Sequence, residues 1–319
     1  MGLQAPVAIF VFKRPDLTAR VFEQIRAAQP KTLLVVADGP RPGERDEASL
    51  VQQTREVVEN INWPCRLLRN FAKHNLGCKR RMSSGLDWVF ENASEAIILE
   101  DDCLPSGGFF DYCEQLLARY REDPQVSAIS GTKVHCQGAE SEYSYFFSKY
   151  FHCWGWASWR RVWQQYDVQM RGWPHAYCSG LLKHIADSFD EQCYWARILD
   201  KQYRGQFDTW DYQMVFNCWQ LGGLTALPTA NLVSNIGFDG RGTHTLDQQD
   251  PLANCPVAEL GPLHHPPAVE RHVAADRMTF QQAFARDLYG VRKWRIRARH
   301  CWRNAVLRGW QATQGSDSP

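Results

Sequence analysis

No stretch of the sequence approaches about 18 consecutive apolar residues, so nothing in it reads as a membrane-spanning helix. The first apolar run, Ala5 to Phe12, contains Pro6, follows no basic segment and precedes no small-residue cleavage site, which argues against a signal peptide. The 11 cysteines include no CxxC pair, which excludes zinc ribbons and thioredoxin-type motifs. Cysteines scattered through apolar runs read as reduced core thiols of a cytoplasmic protein. There is no GxxxxGK followed by Ser or Thr, and no GxGxxG after the first strand, so a P-loop ATPase, a kinase and a dinucleotide dehydrogenase are disfavoured. Net charge is lacking too. With 36 basic and 35 acidic residues the balance is +1, and a nucleic-acid partner is not expected.

What is present is an ordinary globular composition, 44% hydrophobic and 22% charged, which excludes disorder and coiled coil. The charge is unevenly spread. Seven basic residues and no acid lie between Arg292 and Arg308, leaving 29 basic against 34 acidic residues, net −5, in residues 1–291. The first 130 residues alternate apolar strands (7–12, 32–37, 65–70, 95–100, 126–131) with amphipathic helices (16–28, 44–60, 77–92, 109–122). Continuous apolar strands between helices predict an α/β fold with a mostly parallel sheet covered on both faces. In 143–222, which holds eight of the 13 tryptophans between Trp154 and Trp219, the pattern predicts mostly helices, with Trp-Gly-Trp in a turn. Residues 228–275, rich in Pro, Gly, His and Asp, read as ordered loops over a site, and 278–288 as a helix.

Ligands of such sheets bind at the carboxyl ends of strands. Three loops there are chemically loaded: Lys13-Arg14-Pro15-Asp16, Asp38-Gly39 and Glu100-Asp101-Asp102. Three contiguous carboxylates repel one another and raise each other's pKa. A divalent cation relieves this, and hard oxygen ligands suit Mn²⁺ or Mg²⁺. The competing reading is a solvated acidic turn capping the next helix. Asn235 to Thr245 (NIGFDGRGTHT) forms a glycine-rich loop able to close over a diphosphate. Arg241 there can pair with phosphate. Trp154, Trp156, Trp159 and Trp163 suit either a sugar-stacking platform or a helix packed into the core.

These motifs together resemble the nucleotide-sugar glycosyltransferases of the GT-A fold. The opening Ile9-Phe10-Val11-Phe12-Lys13-Arg14-Pro15-Asp16, Asp38-Gly39, Asn75-Leu76-Gly77 and Glu100-Asp101-Asp102 occur in the family's order. The closer resemblance is to the N-acetylglucosaminyltransferase I family and its bacterial relatives, including family 2-like and haemolysin-like proteins. It rests on Glu100-Asp101-Asp102, Phe109-Phe110, Gly155-Trp156-Ala157-Ser158-Trp159 and Trp210-Asp211. The resemblance implies that Asp102 binds the metal, Asp101 faces ribose or metal-bound water, and Glu100 faces the donor sugar. It implies Arg14 and Asp38 at the diphosphate and nucleoside, Trp210 against the sugar, and Asp211 as catalytic base, with Asp208 as the rival base. Arg241 and Thr243 would line the nucleotide sugar, and His244 would reach the metal or a phosphate.

The resulting expectation is a metal-dependent inverting transferase. It would move a sugar from a nucleoside-diphosphate donor, UDP-linked, to a glycan, lipid-linked or protein hydroxyl. Residues 1–245 would form the transferase domain, with a nucleotide-sugar half (1–135) and an acceptor half (136–245). Covering loops and a helix follow (246–290), then a basic helix and tail (291–319). Arg and Trp together in 292–310 suggest contact with an anionic membrane surface, at the inner face of the membrane. The alternatives are a sugar-nucleotide nucleotidyltransferase, which should carry a glycine-rich turn where Lys13-Arg14-Pro15 stands, and a non-catalytic glycan- or membrane-binding protein on a degenerate scaffold.

Overall fold

A computed structural model describes residues 2–133, 141–242, 249–285, 294–301 and 303. Its first half contains β1 (Val7–Val11), α1 (Pro15–Ala28), β2 (Thr32–Ala37), α2 (Arg45–Glu59), β3 (Arg66–Phe71), α3 (Cys78–Asn92), β4 (Glu95–Glu100), β5 (Cys103–Pro105), α4 (Gly108–Arg119) and β6 (Val126–Ser130). Apart from β5, which is too short to show a period, these are the elements that the apolar pattern predicts. The second half contains β7 (Tyr145–Ser148), β8 (Trp156–Trp159), α5 (Arg160–Trp163), α6 (Trp173–Cys178), α7 (Leu181–Ile185), α8 (Phe189–Tyr203), α9 (Asp211–Gln220), β9 (Leu224–Pro228), β10 (Val233–Asn235) and α10 (Val273–Thr279). A π-helical turn, Phe280–Phe284, continues α10, and 294–301 is helical again. The predicted 278–288 helix therefore starts earlier and changes its winding, and its last residues lie outside the described ones.

The fold is α/β. Eight strands form one sheet in the order β3-β2-β1-β4-β8-β6-β9-β7. β1, β2, β3 and β4 run parallel, as do β6 and β9, while β8 and β7 run antiparallel to their neighbours. β1 and β6 are buried along their whole length, as the centre of a doubly covered sheet requires. Helix α1 shows how the sequence writes this. Pro15 occupies its first turn, where a missing N–H costs nothing, and Leu17, Val21, Phe22 and Ile25 recur on the buried face. The helix stops at Gln29, whose left-handed φ of 49° returns its N–H to the Ile25 carbonyl.

The region 143–222 departs from its predicted helical character in one important place. Trp156-Ala-Ser-Trp159 is the β8 strand, inserted between β4 and β6. Gly155, at φ +64°, makes the turn into it. Trp156, Trp159 and Trp163 are all buried, so the platform reading does not hold for them. The sheet is thus continuous across residue 135. Among the described residues no helix is long and apolar enough to cross a membrane.

Candidate active site

β1 and β4 are parallel neighbours, so the residues that follow them emerge side by side at the carboxyl edge of the sheet. Glu100 ends β4, and Asp101 and Asp102 turn away from it. Arg14 sits just before α1 and faces them. Its Nη2 donates to Asp101 Oδ1 and, at 2.9 Å, to Asp102 Oδ2. The Phe12 N–H adds a bond to Asp101 Oδ2 at 3.2 Å. One guanidinium thus answers three carboxylates. Burial and the adjacent charges of Asp102 and Asp101 push Glu100 well above the ordinary range, and Arg14 only partly opposes this. Burial also raises Asp101 against the pull of Arg14. No hydrogen bond from the described residues reaches the Glu100 carboxylate. Arg14 Nη1 is buried and has no partner among the described residues. A donor without an acceptor and a carboxylate without a donor therefore stand together at one edge.

Asp38 follows β2 and is 5% exposed. Its carboxylate accepts from the N–H of Gly39 (2.8 Å) and of Leu76 (2.9 Å) and from Asn75 Nδ2 (2.9 Å). The carboxylate holds the Asn75-Leu76-Gly77 turn, and Asp38 also lines the cleft in which the nucleoside contact is expected. Glu47 plays a similar part for the first turn. It accepts from Lys13 Nζ (2.7 Å) and from Arg41 Nε (3.0 Å).

The second, two-stranded sheet pairs β5 with β10, Asn235 opposite Cys103. This brings a late segment onto the acidic turn: the Ile236 N–H donates to the Asp102 carbonyl at 2.8 Å. A Cβ on Gly237 would lie 2.2 Å from Asp102 Oδ2, so only glycine fits there. Arg241, expected at a diphosphate, is paired with Asp16 (2.7 Å) and with Asp239, while lining the cleft. Thr243 and His244 lie outside the described residues.

Two adjoining clefts meet at this edge. The smaller, about 270 Å³, runs from Asp38 and Asn75 past Lys13 to Arg241. The larger, about 620 Å³, is bounded by Asp102, Trp154, Asn235 and 206–212. Arg14, Cys78, Glu100 and Asp208 belong to both. Asp211 opens α9 and faces the larger cleft, its Oδ1 accepting from the Thr209 hydroxyl. Asp208 has another task. Its Oδ1 accepts the Lys79 N–H at 3.1 Å, capping the exposed start of α3 from across the cleft. Trp210 is 2% exposed, stacks on Trp156 with centroids 5.5 Å apart, and lines the larger cleft. It forms the floor beneath the site. Trp154 alone of the four candidate platform residues reaches the cleft, edge-on to Phe238.

Sequence reasoning missed Cys78 and Cys153. Cys78 begins α3 between the two clefts, and Cys153 lines the larger. Burial first, then the carboxylates of Glu100 and Asp211, push both thiols above the ordinary range. The position of Cys78 directly after Asn75-Leu76-Gly77 was the only signal available.

The sequence matches no family model, and no curated protein is similar to it in sequence. Among solved structures, the chain is similar to the mannosyltransferase PcManGT from Pyrobaculum calidifontis, in complex with GDP-Man and Mn²⁺. Identity is 13%, TM-score 0.38, with 69% of this chain and 71% of that chain covered. It is similar to S. aureus TarS at 10% identity and TM-score 0.39, over 72% of this chain and 36% of that one. A UDP-glucose pyrophosphorylase complexed with UDP-glucose matches at 10% identity and TM-score 0.30, over 50% of this chain and 78% of that chain.

Proposed function

We propose that the protein is a metal-dependent, inverting glycosyltransferase of the GT-A type. It moves a sugar from a nucleoside-diphosphate sugar, UDP-linked, to a hydroxyl of a glycan, lipid or protein. The observation that carries this reading is the meeting, along one cleft wall, of an under-neutralised carboxylate triplet with the separate carboxylate of Asp211. A general α/β scaffold alone would not support it.

The donor set fits Mn²⁺ or Mg²⁺. Carboxylate oxygens outnumber cations, and Glu100 has no hydrogen bond from the described residues. Among the described residues no three ligating side chains converge on one point. A cation would be held by Asp102, with Asp101 facing ribose or a metal-bound water, and waters and the donor diphosphate would supply further oxygens, as suits such ions. His244 is the further candidate ligand. Bound there, the ion supplies Lewis-acid stabilisation of the charge that builds on the departing diphosphate.

The chain's own groups do the rest. Arg14 offers its free Nη1 to a diphosphate oxygen, a charge-assisted bond in a buried place. Asp38 fixes the turn against which the nucleoside lies. Arg241 and Thr243 border the diphosphate, and Glu100 faces the donor sugar over the floor made by Trp210. Asp211 Oδ2, left open while Thr209 holds Oδ1, takes the proton of the acceptor hydroxyl. The acceptor oxygen bonds to the anomeric carbon as the bond from that carbon to the diphosphate oxygen breaks. The electron pair leaves with the nucleoside diphosphate. One displacement with one base inverts the anomeric centre.

The test is donor hydrolysis with Mn²⁺ and a panel of UDP-, GDP-, TDP- and CMP-sugars, with Asp102→Ala, Asp211→Asn and Asp208→Asn beside it. Nucleotide release from one donor, lost without Mn²⁺ and in Asp102→Ala, is the expected result. The absence of both nucleotide release and Mn²⁺-dependent nucleotide binding would overturn the reading in favour of a non-catalytic scaffold.

A further inference from the structure

A third cavity, about 510 Å³, lies on the far side of the 204–211 segment, between α8 and the helical segment 294–301. Six cations line it: Arg197, Lys201 and Arg204 from one wall, Arg295, Arg299 and Arg303 from the other. Among the described residues the lining carries one carboxylate, Asp200, and Arg303 is already paired with it. The last turn of α8 accounts for Lys201 and Arg204, since helix C-termini attract cations. It does not account for three arginines arriving on a second helix. That helix is held against α8 by other means. Ile296 and His300 are buried, His300 Nδ1 lies 3.2 Å from the Tyr177 hydroxyl, Arg303 stacks 3.7 Å over the Tyr177 ring, and Arg297 pairs with Asp190 at 2.5 Å. The side chains of Arg204, Arg295 and Arg299 take no part in this docking. They stand in like-charged company, which costs free energy unless an anion fills the space.

We infer that this cavity binds a phosphate group, separately from the donor site. Two observations bear on where that phosphate comes from. Trp294, the first described residue of this helical segment, is 71% exposed, beside Arg295. An exposed Trp adjoining arginines is the composition of a membrane-interface contact. Gln206 lines both this cavity and the larger active-site cleft, so a bound phosphate sits next to the acceptor side. A lipid headgroup phosphate fits both observations, and soluble pyrophosphate shares the chemistry. That the occupant serves as acceptor rests on the transferase reading. That the cavity binds phosphate does not.

The experiment uses the full chain with EDTA present, so that metal at the acidic triplet plays no part. Inorganic pyrophosphate binding is followed by calorimetry. Sedimentation with phosphatidylcholine vesicles, with and without phosphatidylglycerol, forms the second arm. The double variant Arg204→Glu/Arg299→Glu, at two exposed positions, should keep its melting temperature. It should lose more than about tenfold in affinity, since each basic residue near an anionic surface contributes about 1 kcal/mol. Trp294→Ala separates the sources: it weakens vesicle binding and spares pyrophosphate binding if the phosphate is a headgroup's. Binding unchanged in the double variant, or no binding of either probe by the native chain, overturns the inference. Donor hydrolysis by the double variant is expected to match the native chain, so failure here is distinct from failure at the donor site.

Discussion

Gly237 has no side chain because Asp102 occupies the space one would need. Gly237→Ala puts a methyl 2.2 Å from Asp102 Oδ2, and Arg14 on the other side leaves that carboxylate little room to yield. Overpacking of this kind costs about 1–3 kcal/mol. Thermal denaturation should show that loss, and calorimetry should show Mn²⁺-dependent nucleotide binding falling with it. Unchanged nucleotide affinity would count against Asp102 as the metal ligand. Glu47 gives a pH-dependent counterpart. Arg41, then Lys13, hold its carboxyl down to about 2 from an ordinary 4.5. A lowered value in the folded state means stabilisation present above 4.5 and lost as the pH falls towards 2. Urea unfolding of the native chain and Glu47→Gln should therefore differ most at neutral pH and converge over that acid range. At this scale the sequence revealed Glu100-Asp101-Asp102, because contiguous carboxylates after an apolar strand need no tertiary information. It could not reveal that Asp38 holds the Asn75-Leu76 turn, or that Trp210 packs on Trp156, since both depend on partners remote in the chain.

Elements divide in the same way. The five longer strands of the first half, β1 to β4 and β6, are runs long enough to stand out between helices, and each was readable. β8 is four residues, Trp156-Ala-Ser-Trp159, and Trp159 with Trp163 also fits a helical spacing. What decides for a strand is pairing with Ile97 and Ile129, far off on either side. Removing that wedge should be severe: Trp156→Ala should cost about 3–5 kcal/mol in chemical denaturation. Trp154→Ala, at the cleft wall, should leave stability nearly unchanged and alter acceptor use. A second cost sits where α10 meets β7. Lys149, 3% exposed, pairs with Asp187 at 3.0 Å and with Glu191, while Arg271 joins Asp187 to Asp276. Lys149→Ala leaves the buried Glu191 without its cation and Asp187 with Arg271 alone, and about 3–5 kcal/mol should be lost.

At the scale of the whole molecule, one feature of the sheet reaches into the history of the chain. β4 is complete at Glu100, but the strand that flanks it, β8, begins only at Trp156. At translation rates of 5–20 residues per second, β4 waits roughly 3–10 s on the ribosome with one edge bare. An apolar strand with an open edge invites pairing with another chain. The acidic turn waits longer, because β10 and Gly237 come later still. A nascent chain that stalls near residue 135 holds Glu100-Asp101-Asp102 without the strand that closes the sheet or the glycine that seats Asp102. Such fragments should aggregate and bind no nucleotide, and slow synthesis across 100–156 should lower the yield of the intact protein.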